Sequence, residues 1–386
     1  MNECIKILHV VLSLEPGGME NGLANLATHL DASRFETHFF CIEKEGAFAA
    51  RLPRRDLVYL GGKTTGFSAS AVWRLNAAIR RVGANLVHSH NLGALIYSSL
   101  ATIGGRLCPI IHGEHSELAG DDLSQRRNLQ RRIFFPHCAR IHSVGRQSKA
   151  QIEELGFAKR VEAIQNGVDT CRFTPSDKAT SRRLAGINEG AFVLGIAGRF
   201  GPSKRHDVLI EAFSRLAGNQ ADLHLLIIGG GGSQETAIRD LIAASPFSDR
   251  IHLMGFREKP ELFYPGMDLL VVPSVNEGLS NVLLEAMACD VPALSHTSCG
   301  ASEIIEDGVD GWIRNCGTAS SLASSIDEIR ASAGHLKSAR GKVRDKVVRS
   351  FSLARMASSY ARMYEEVAAG IGEPPVGTGA MPGGVD

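Results

Sequence analysis

The sequence predicts an α/β protein built from two Rossmann-like, doubly wound domains that face each other across a cleft. Short β-rich apolar runs alternate with longer amphipathic stretches, and this alternation starts again near residue 191. Strands that alternate with helices pair in parallel through crossover helices. The chain has 386 residues. At about 150 residues a domain, this length allows two separate cores.

The first series begins with the strand IKILHVVLS (5–13), and a glycine-rich turn leads from it into a helix over 20–30. Alternating apolar residues predict strands, and a helical period predicts helices, in the sequence that follows. Further strands are expected at 36–42, 56–60, 85–90, 109–113 and 139–144, with a helix over 70–83.

The second series opens with the strand AFVLGIAG (191–198). Helices are expected over 207–218, 233–245 and 281–290, and strands over 222–229, 250–256, 268–274 and 292–296. Two such sheets bind ligands beyond the carboxyl ends of their strands, in the cleft between them.

The domain boundaries follow from local composition. The segment 165–181 is polar and rich in turn residues, so we place the first domain at 1–172 and the second at 173–350. A final helix is predicted over 351–370 and is expected to return to the first domain. The tail 371–386 is dense in Gly and Pro and is expected to be disordered.

Charge and cysteine usage exclude several classes of protein. The formal net charge is +1, so no nucleic-acid partner is indicated. The eight cysteines are scattered without a C-x-x-C pair, which disfavours a disulfide scaffold and fits a reducing cytoplasm. The start lacks the basic region of a signal peptide. No apolar run approaches the roughly 20 residues that a membrane span needs.

The strongest motif is PSVNEGLSNVLLEAMACDVP (273–292). A buried strand ends there, a loop carries Glu277 and Gly278, and a helix begins after Ser280, a candidate cap. A helix N-terminus suits a phosphate, and carboxylates such as Glu277 and Glu285 suit the hydroxyls of a sugar or ribose. A capped helix with two solvated glutamates fits the same residues.

A second motif, GIAGRFGPSKRHD (195–207), carries Arg199 and Lys204 on a loop that Gly198 tightens at the end of a strand. Two cations five residues apart can grip a diphosphate, the arginine as a fork and the lysine as a point charge. The alternative is an exposed basic loop.

A third motif, PGGME, follows the first strand, where Gly17 and Gly18 let the backbone approach a ligand beside the positive end of a helix. It is not G-x-G-x-x-G, so the dinucleotide fingerprint fails, and a plain tight turn fits equally well. The glycine run 229–232 at another strand end has the same two interpretations.

Four histidines lie at strand ends, where cleft residues are found: His88 and His90 in H-S-H, and His112 and His115 in H-G-E-H. Neither motif is the helical H-E-x-x-H, and no complete ligand set follows either, so no metal site is expected. A neutral His112 can instead bond a substrate hydroxyl or polarise a sugar, and a structural histidine is the alternative. The chain also lacks D-x-D, the usual acidic clamp for a metal-bound diphosphate.

The segment 121–140 combines arginine pairs at 126–127 and 131–132 with Phe134 and Phe135. Such a surface can lie on anionic lipid beside a lipid-linked acceptor. It can equally be a solvated helical face with a buried aromatic end.

Together these segments resemble the family-4 retaining glycosyltransferases, which have the GT-B fold. The resemblance runs from PGGME through NLVHSHN, PIIHGEH, IQNGVDTCRF and AGRFGPSKRHD to EGLSNVLLEAMACDVPAL. Its specific part is the E-x7-E pair, Glu277 and Glu285, together with Arg199 and Lys204. The H-G-E-H segment and the layout further resemble sugar transferases of exopolysaccharide clusters, including those associated with exosortase systems.

The resemblance implies a role for each candidate residue. Arg199 and Lys204 would neutralise the departing diphosphate, so no metal or other cofactor is expected. Glu277 would face the transferred sugar, and His112 would contact it near the reacting carbon. Glu285 would contact the ribose, and the base would lie near Met254 and Arg257. Phosphate and sugar would be met by Gly278, Leu279, Ser280 and Asn281, and the diphosphate region by Gly17, Gly18 and Gly198. His90 and His115 would lie on the acceptor side.

We therefore expect a retaining glycosyltransferase that moves a sugar from a UDP- or GDP-sugar to a glycan or lipid-linked acceptor in cell-surface or exopolysaccharide biosynthesis. The first domain would face the acceptor and the second would hold the donor, in the cytoplasm or at the cytoplasmic face of a membrane. Two alternatives stay open: a non-catalytic nucleotide-sugar-binding subunit, and a nucleotide-sugar epimerase on the same fold. The failed fingerprint disfavours a nicotinamide oxidoreductase.

Overall fold

The computed structural model describes residues 4–158, 161–275, 279–297 and 300–370, which form two α/β units. The first unit contains the chain up to residue 165 and again from residue 354, and the second contains residues 166–353. Each unit has its own parallel sheet and its own buried core, so the predicted fold class is confirmed.

The first unit contains a seven-stranded parallel sheet among the described residues. Its strands are β1 (Ile5–Ser13), β2 (Phe35–Lys44), β3 (Val58–Leu60), β4 (Leu86–His90), β5 (Ile110–Glu114), β6 (Cys138–Ser143) and β7 (Glu162–Ala163). Their order is β3-β2-β1-β4-β5-β6-β7. The chain proceeds outward from β1 on one side and from β4 on the other, so the loops after these two strands diverge and leave a crevice at the carboxyl edge.

The helices of the first unit cover both faces of this sheet. They are α1 (Gly18–His29), α2 (Ala69–Val82), α3 (Asn91–Ala101), α4 (Gln125–Phe134) and α5 (Arg146–Glu154). Local sequence explains α2 well: the Ser68 hydroxyl accepts a hydrogen bond from Ala71 N at 3.2 Å at its start, and Gly83 ends it in the left-handed conformation with φ 65°. Its buried stripe contains Leu75, Ile79 and Val82.

In its described part, the second unit repeats the pattern with a six-stranded parallel sheet. Its strands are β8 (Phe192–Ala197), β9 (Leu223–Ile228), β10 (Ile251–Gly255), β11 (Leu269–Val272), β12 (Ala293–His296) and β13 (Gly311–Arg314), in the order β10-β9-β8-β11-β12-β13. Its helices are α6 (Lys178–Leu184), α7 (His206–Ala217), α8 (Glu235–Ala244), α9 (Asn281–Ala288), α10 (Ala319–Ala331), α11 (Ala333–Ala339) and α12 (Val343–Ser350). Here the strand order reverses between β8 and β11, which makes the loops after these strands the expected ligand site.

The last helix, α13 (Leu353–Ala368), lies almost wholly in the first unit. Just before it, Val168 N donates to Phe351 O at 2.8 Å and Leu353 N donates to Val168 O at 3.1 Å. A Cβ at Gly167 would lie 2.8 Å from Ser352 O, so only glycine allows this close approach. Because of this pairing, residues 166–172 and 351–353 group with the second unit. The first boundary therefore lies after residue 165, whereas the sequence placed it after residue 172.

The tail 371–386 lies outside the described residues. None of the helices in the described ranges is both long enough and apolar enough to cross a bilayer.

Candidate functional site

The loop after β8 carries the two cations that the sequence singles out. Gly198 ends the strand with φ 141°, a conformation that favours glycine. The side chain of Lys204 passes over it, since its Cδ and Cε atoms would be 3.8 Å from a Cβ at Gly198. Arg199 is exposed and Lys204 is half-buried. The loop therefore directs both side chains to the carboxyl edge of the sheet.

The glycine run 229–232 supports this loop through its backbone. Phe200 N donates to Gly231 O at 2.8 Å, and Gln234 N donates to Phe200 O at 3.1 Å. A Cβ at Gly232 would lie 3.0 Å from Cγ of Arg199 and would collide with the carbonyl oxygen of Phe200. The glycines thus allow the backbone of this run to pack closely against the loop that carries Arg199.

A hydrogen bond joins the loop after β11 to the same cationic loop, because Val275 N donates to Ser203 O at 2.9 Å. Between the two strand ends and the start of α9 lies a small cavity, lined by Ile196, Ala197, Lys204, Val271, Val272, Pro273, Ser274, Ser280 and Val282. The two strongest sequence motifs therefore meet at one place, with Lys204 supplying a positive charge to the cavity.

Ser280 occupies the N-cap position of α9, but its side chain makes no capping hydrogen bond, so the expected cap is wrong in this respect. Leu279 is buried in the core of the second unit, and its carbonyl accepts a hydrogen bond from the Asn166 amide at 3.2 Å. Glu277 and Gly278 lie outside the described residues, so their predicted roles stay predictions.

Glu285, in the second turn of α9, is half-buried and accepts a 2.7 Å hydrogen bond from the hydroxyl of Tyr264. Tyr264 is 1% exposed, and burial, followed by the charge of Glu285, raises its pKa well above the usual value. The phenol therefore remains a donor that fixes one oxygen of the carboxylate. Sequence reasoning missed Tyr264, since a tyrosine in a Y-P-G turn carries no chemical signature.

Met254 and Arg257 flank the carboxyl end of β10. This strand end is hydrogen-bonded to the glycine run 229–232, which packs against the Arg199 loop. Gly229 N donates to Gly255 O at 2.9 Å. The Arg257 guanidinium lies 5.7 Å from the centre of the Phe263 ring, a cation–π distance. Met254 packs on the core of the unit, and the neighbouring Phe256 is 65% exposed.

Arg205 and His206, directly after Lys204, form the start of α7 and were not predicted as site residues. Arg205 has φ 55°, which is strained for a residue with a side chain, and it donates to Gly317 O at 2.9 Å. His206 is 1% exposed, and neither ring nitrogen has a hydrogen-bond partner among the residues that the structure describes. Burial, then the charge of Lys204, lowers its pKa to about 4, so the ring is neutral at neutral pH.

In the first unit, α1 begins at Gly18 with Gly17 as its N-cap. A Cβ at Gly17 would collide with the carboxylate of Glu20 in the first turn. That carboxylate is the end of a flexible side chain and the backbone of Gly17 is extended, with φ −162°, so this contact alone does not require glycine and the predicted ligand contact stays a prediction.

His112 is fully buried on the face of the sheet that carries α3. Its Nδ1 lies 3.0 Å from the Ser89 hydroxyl and its Nε2 lies 3.4 Å from the Glu114 carboxylate. Burial alone would raise the pKa of Glu114, but His112 and the guanidinium of Arg131 outweigh it and lower that pKa. The ring of His112 is enclosed in this structure, so its predicted contact with a sugar stays a prediction.

His90 lies on the opposite face, in a layer of buried histidines. Its Nδ1 is 2.9 Å from Nε2 of His115, and its Nε2 is 3.0 Å from Nδ1 of His9. His88 in turn contacts His142, with 2.8 Å between their Nε2 atoms. Burial is the first cause that lowers the pKa of each of these five imidazoles. The structure thus brings His90 and His115 together, and it adds two histidines that sequence reasoning missed.

Two family models match successive parts of the chain. "Glycosyltransferase Family 4" matches residues 16–172, and "Glycosyl transferases group 1" matches residues 177–343. The two doubly wound units, with a cationic loop at the switch point of the second, define the chain as a protein of the GT-B glycosyltransferase fold. It belongs to glycosyltransferase family 4.

Curated relatives cover only part of the chain. A D-inositol 3-phosphate glycosyltransferase of Stackebrandtia nassauensis is 32% identical over 180 residues, which are 44% of this chain and 41% of the relative. One of Mycobacteroides abscessus is 28% identical over 268 residues, 67% of this chain and 56% of the relative. The chain therefore spans about half the length of these curated relatives.

Solved structures share the fold over nearly the whole chain. HepE of Anabaena, crystallised with UDP and glucose, has a TM-score of 0.81 at 20% identity and covers 94% of this chain and 99% of its own. Sucrose-phosphate synthase of Thermosynechococcus elongatus has a TM-score of 0.78 at 18% identity and covers 95% and 100%. At such identities the likeness concerns the fold.

Proposed function

We propose that the protein is a retaining glycosyltransferase that uses a UDP- or GDP-sugar as donor and a glycan or lipid-linked hydroxyl as acceptor. The observation that carries this proposal is the Val275–Ser203 hydrogen bond, which sets the Lys204 loop against the cavity at the start of α9. The crystallised complex of HepE with UDP and glucose supports a nucleotide donor for a chain of the same fold.

In the proposed reaction, the bond between the sugar's anomeric carbon and the diphosphate oxygen breaks, and its electron pair leaves with the diphosphate. The acceptor oxygen bonds to the anomeric carbon on the same face, and its proton passes to the leaving phosphate. Arg199 and Lys204 stabilise the charge that develops on the diphosphate, which we propose replaces a metal ion at this point.

The other donor contacts follow from positions at neighbouring strand ends. Glu285, held by Tyr264, is placed to accept hydrogen bonds from ribose hydroxyls. Met254 and Arg257 would border the base, with the exposed Phe256 ring as an additional surface. Glu277 would face the sugar.

On the acceptor side we propose that His90 and His115 border the substrate and that His112 contacts the transferred sugar. Gly17 and Gly18 would meet the diphosphate region. Residues of α4 favour an acceptor at a membrane face, because Leu129 and Ile133 are 59% and 49% exposed near exposed arginines 126 and 132. Arg131 is instead buried, and it bonds the carboxylate of Glu114 at 3.3 Å.

The central test replaces Lys204 with alanine and follows slow hydrolysis and transfer with a panel of UDP- and GDP-sugars. We expect turnover to fall about 100- to 1,000-fold because one diphosphate contact in the transition state is lost. The matched control is Lys337→Ala on the exposed surface of α11 in the same unit, which should keep wild-type turnover.

Three outcomes separate the candidates. Donor hydrolysis or transfer that depends on Lys204 supports a transferase, donor binding without turnover indicates a binding subunit, and an altered donor sugar indicates an epimerase. Acceptors should include inositol phosphates, because the matched curated relatives are named for that reaction.

Metal independence of the donor reaction has its own test. Turnover of chelator-treated protein should not rise when Mg²⁺ or Mn²⁺ is added, because the two cationic side chains already neutralise the diphosphate. A strong dependence on either ion would contradict this part of the proposal.

A further inference from the structure

Three histidine rings lie together on one face of the sheet in the first unit. His9 of β1 is in register with His88 of β4, and His90 lies two residues further along the same face. One ring nitrogen of each lies within 4.8 Å of the others. The three residues are 1%, 0% and 1% exposed. The cluster is separate from the donor loops, which belong to the second unit.

We propose that His9, His88 and His90 bind one divalent transition-metal ion of the zinc class. Neutral imidazole is a preferred ligand of zinc and its neighbours in the series, and three histidines form a known open ligand set. Nδ1 of His9 and Nε2 of His90 are 3.0 Å apart. In a tetrahedral site with zinc–nitrogen bonds of about 2.0–2.1 Å the ligand nitrogens are about 3.3 Å apart. This pair needs to separate only slightly to admit the ion, and a nitrogen of His88 lies within 4.8 Å of both.

The rings around the cluster provide the outer support that metal ligands usually have. A metal-bound histidine commonly donates its second N–H to a fixed partner. His90 has such a partner, since its Nδ1 is 2.9 Å from Nε2 of His115. His88 has one on each side, the Tyr364 hydroxyl at 2.9 Å from Nδ1 and His142 at 2.8 Å from Nε2. The nitrogen of His88 that binds the ion gives up its present contact, and the other nitrogen keeps its partner.

Gly113 makes room for these outer rings. A Cβ at this position would lie 2.5 Å from Nε2 of His142 and 3.1 Å from Nε2 of His115. His115 is half-buried, whereas the three proposed ligands are enclosed, so His115 stands between the cluster and solvent.

The test uses the full chain without an affinity tag, stripped by a chelator and titrated with Co²⁺ and then Zn²⁺. We expect about one equivalent of Co²⁺ to bind with the visible absorption of a nitrogen-rich, low-coordinate site, and Zn²⁺ to displace it. His9→Asn and His90→Asn should each weaken binding by at least the roughly 10- to 100-fold typical of losing an outer partner.

A matched control addresses adventitious binding to paired histidines. His224 and His252 of the second unit also face each other, with 3.0 Å between Nδ1 and Nε2. The double variant His224→Asn/His252→Asn should bind Co²⁺ as the wild type does. Substoichiometric binding by the wild type, or loss of binding in this control, would overturn the proposal.

X-ray absorption of the zinc-loaded wild type gives a readout that does not depend on the folding of a variant. We expect a shell of about three nitrogens at about 2.0 Å. A shell of oxygens alone would overturn the proposal. Lys204→Ala should bind the ion normally, so failure of the metal site and failure of the proposed transfer reaction are distinguishable.

Discussion

The hydroxyl of Tyr264 holds one oxygen of the Glu285 carboxylate at 2.7 Å. In Tyr264→Phe this oxygen loses its donor, and the carboxylate can turn away from the position proposed for the ribose. We expect nucleotide affinity to fall about fivefold, which corresponds to roughly 1 kcal/mol for one hydrogen bond. Calorimetric titration with UDP and GDP measures the change.

The control for this variant is Tyr97→Phe in the first unit, where the hydroxyl accepts a hydrogen bond from Ser68 N at 2.9 Å. It should lower stability without changing nucleotide affinity. Equal affinities for wild type and Tyr264→Phe would exclude the proposed role of Tyr264.

His206 predicts a specific pH dependence of stability. Its pKa in the folded protein is lowered from 6.5 to about 4, first by burial and then by Lys204. Between pH 6.5 and pH 4 the unfolded chain binds a proton at this histidine and the folded protein does not. The free energy of unfolding therefore decreases as the pH falls through this interval.

In His206→Phe this contribution disappears, and the slope of unfolding free energy against pH should become shallower by up to about 1.4 kcal/mol per pH unit in that interval. Urea denaturation at pH 7, 6 and 5 measures it. An unchanged slope would show that the pKa of His206 is not lowered in the folded protein.

At the scale of the element, β5 depends on Gly113, whose missing side chain leaves room for His142 and His115. Gly113→Ala should destabilise the protein by about 1–3 kcal/mol, since the His142 ring that a Cβ would strike first is fully buried. Gly93→Ala in α3 is the control: its Cβ would lie 3.7 Å from Cδ2 of Leu12, an ordinary contact, and alanine favours a helix. Chemical denaturation should separate the two variants; similar stabilities would contradict the packing argument.

Strands with β-branched and apolar runs were predictable because their pattern is local, as IKILHVVLS shows for β1. The helix α3 was not predicted, because NLGALIYSSLA buries residues around most of its circumference and shows little amphipathic period. The two-residue strand β7 is too short to leave a pattern.

The same distinction applies to the candidate site. Arg199, Lys204 and Glu285 could be proposed from the sequence because charged residues beside strand ends and helix starts are visible there. His9 was missed because it lies in the middle of a strand, and only its register with His88 gives it neighbours of its own kind. Contacts made by register or by a distant helix leave no local signal.

At the scale of the whole molecule, α13 completes the first unit. Its Tyr364 hydroxyl bonds Nδ1 of His88 at 2.9 Å, and the ring of Tyr360 lies 5.2 Å from that of His142. A chain ending at Ser352 should therefore be far less soluble and should lose most amide protection in β4 and β6, since the buried histidine layer becomes exposed. Hydrogen exchange and the soluble fraction measure this.

A chain ending at Gly370 retains α13 and is the control for that truncation. It should match the full chain in melting temperature. Equal solubility of both truncated proteins would mean that α13 contributes little to the first unit.

The return of α13 also dictates an order of events during synthesis. Residues 166–353 form a unit of their own, whereas the sheet made from the first 165 residues waits for a helix that begins at 353. At about 5–20 residues per second, the ribosome needs roughly 10–40 s to cover that interval. During this time the histidine-bearing face of the nascent sheet is not covered by α13. We therefore expect chaperones to bind mainly to the first 165 residues.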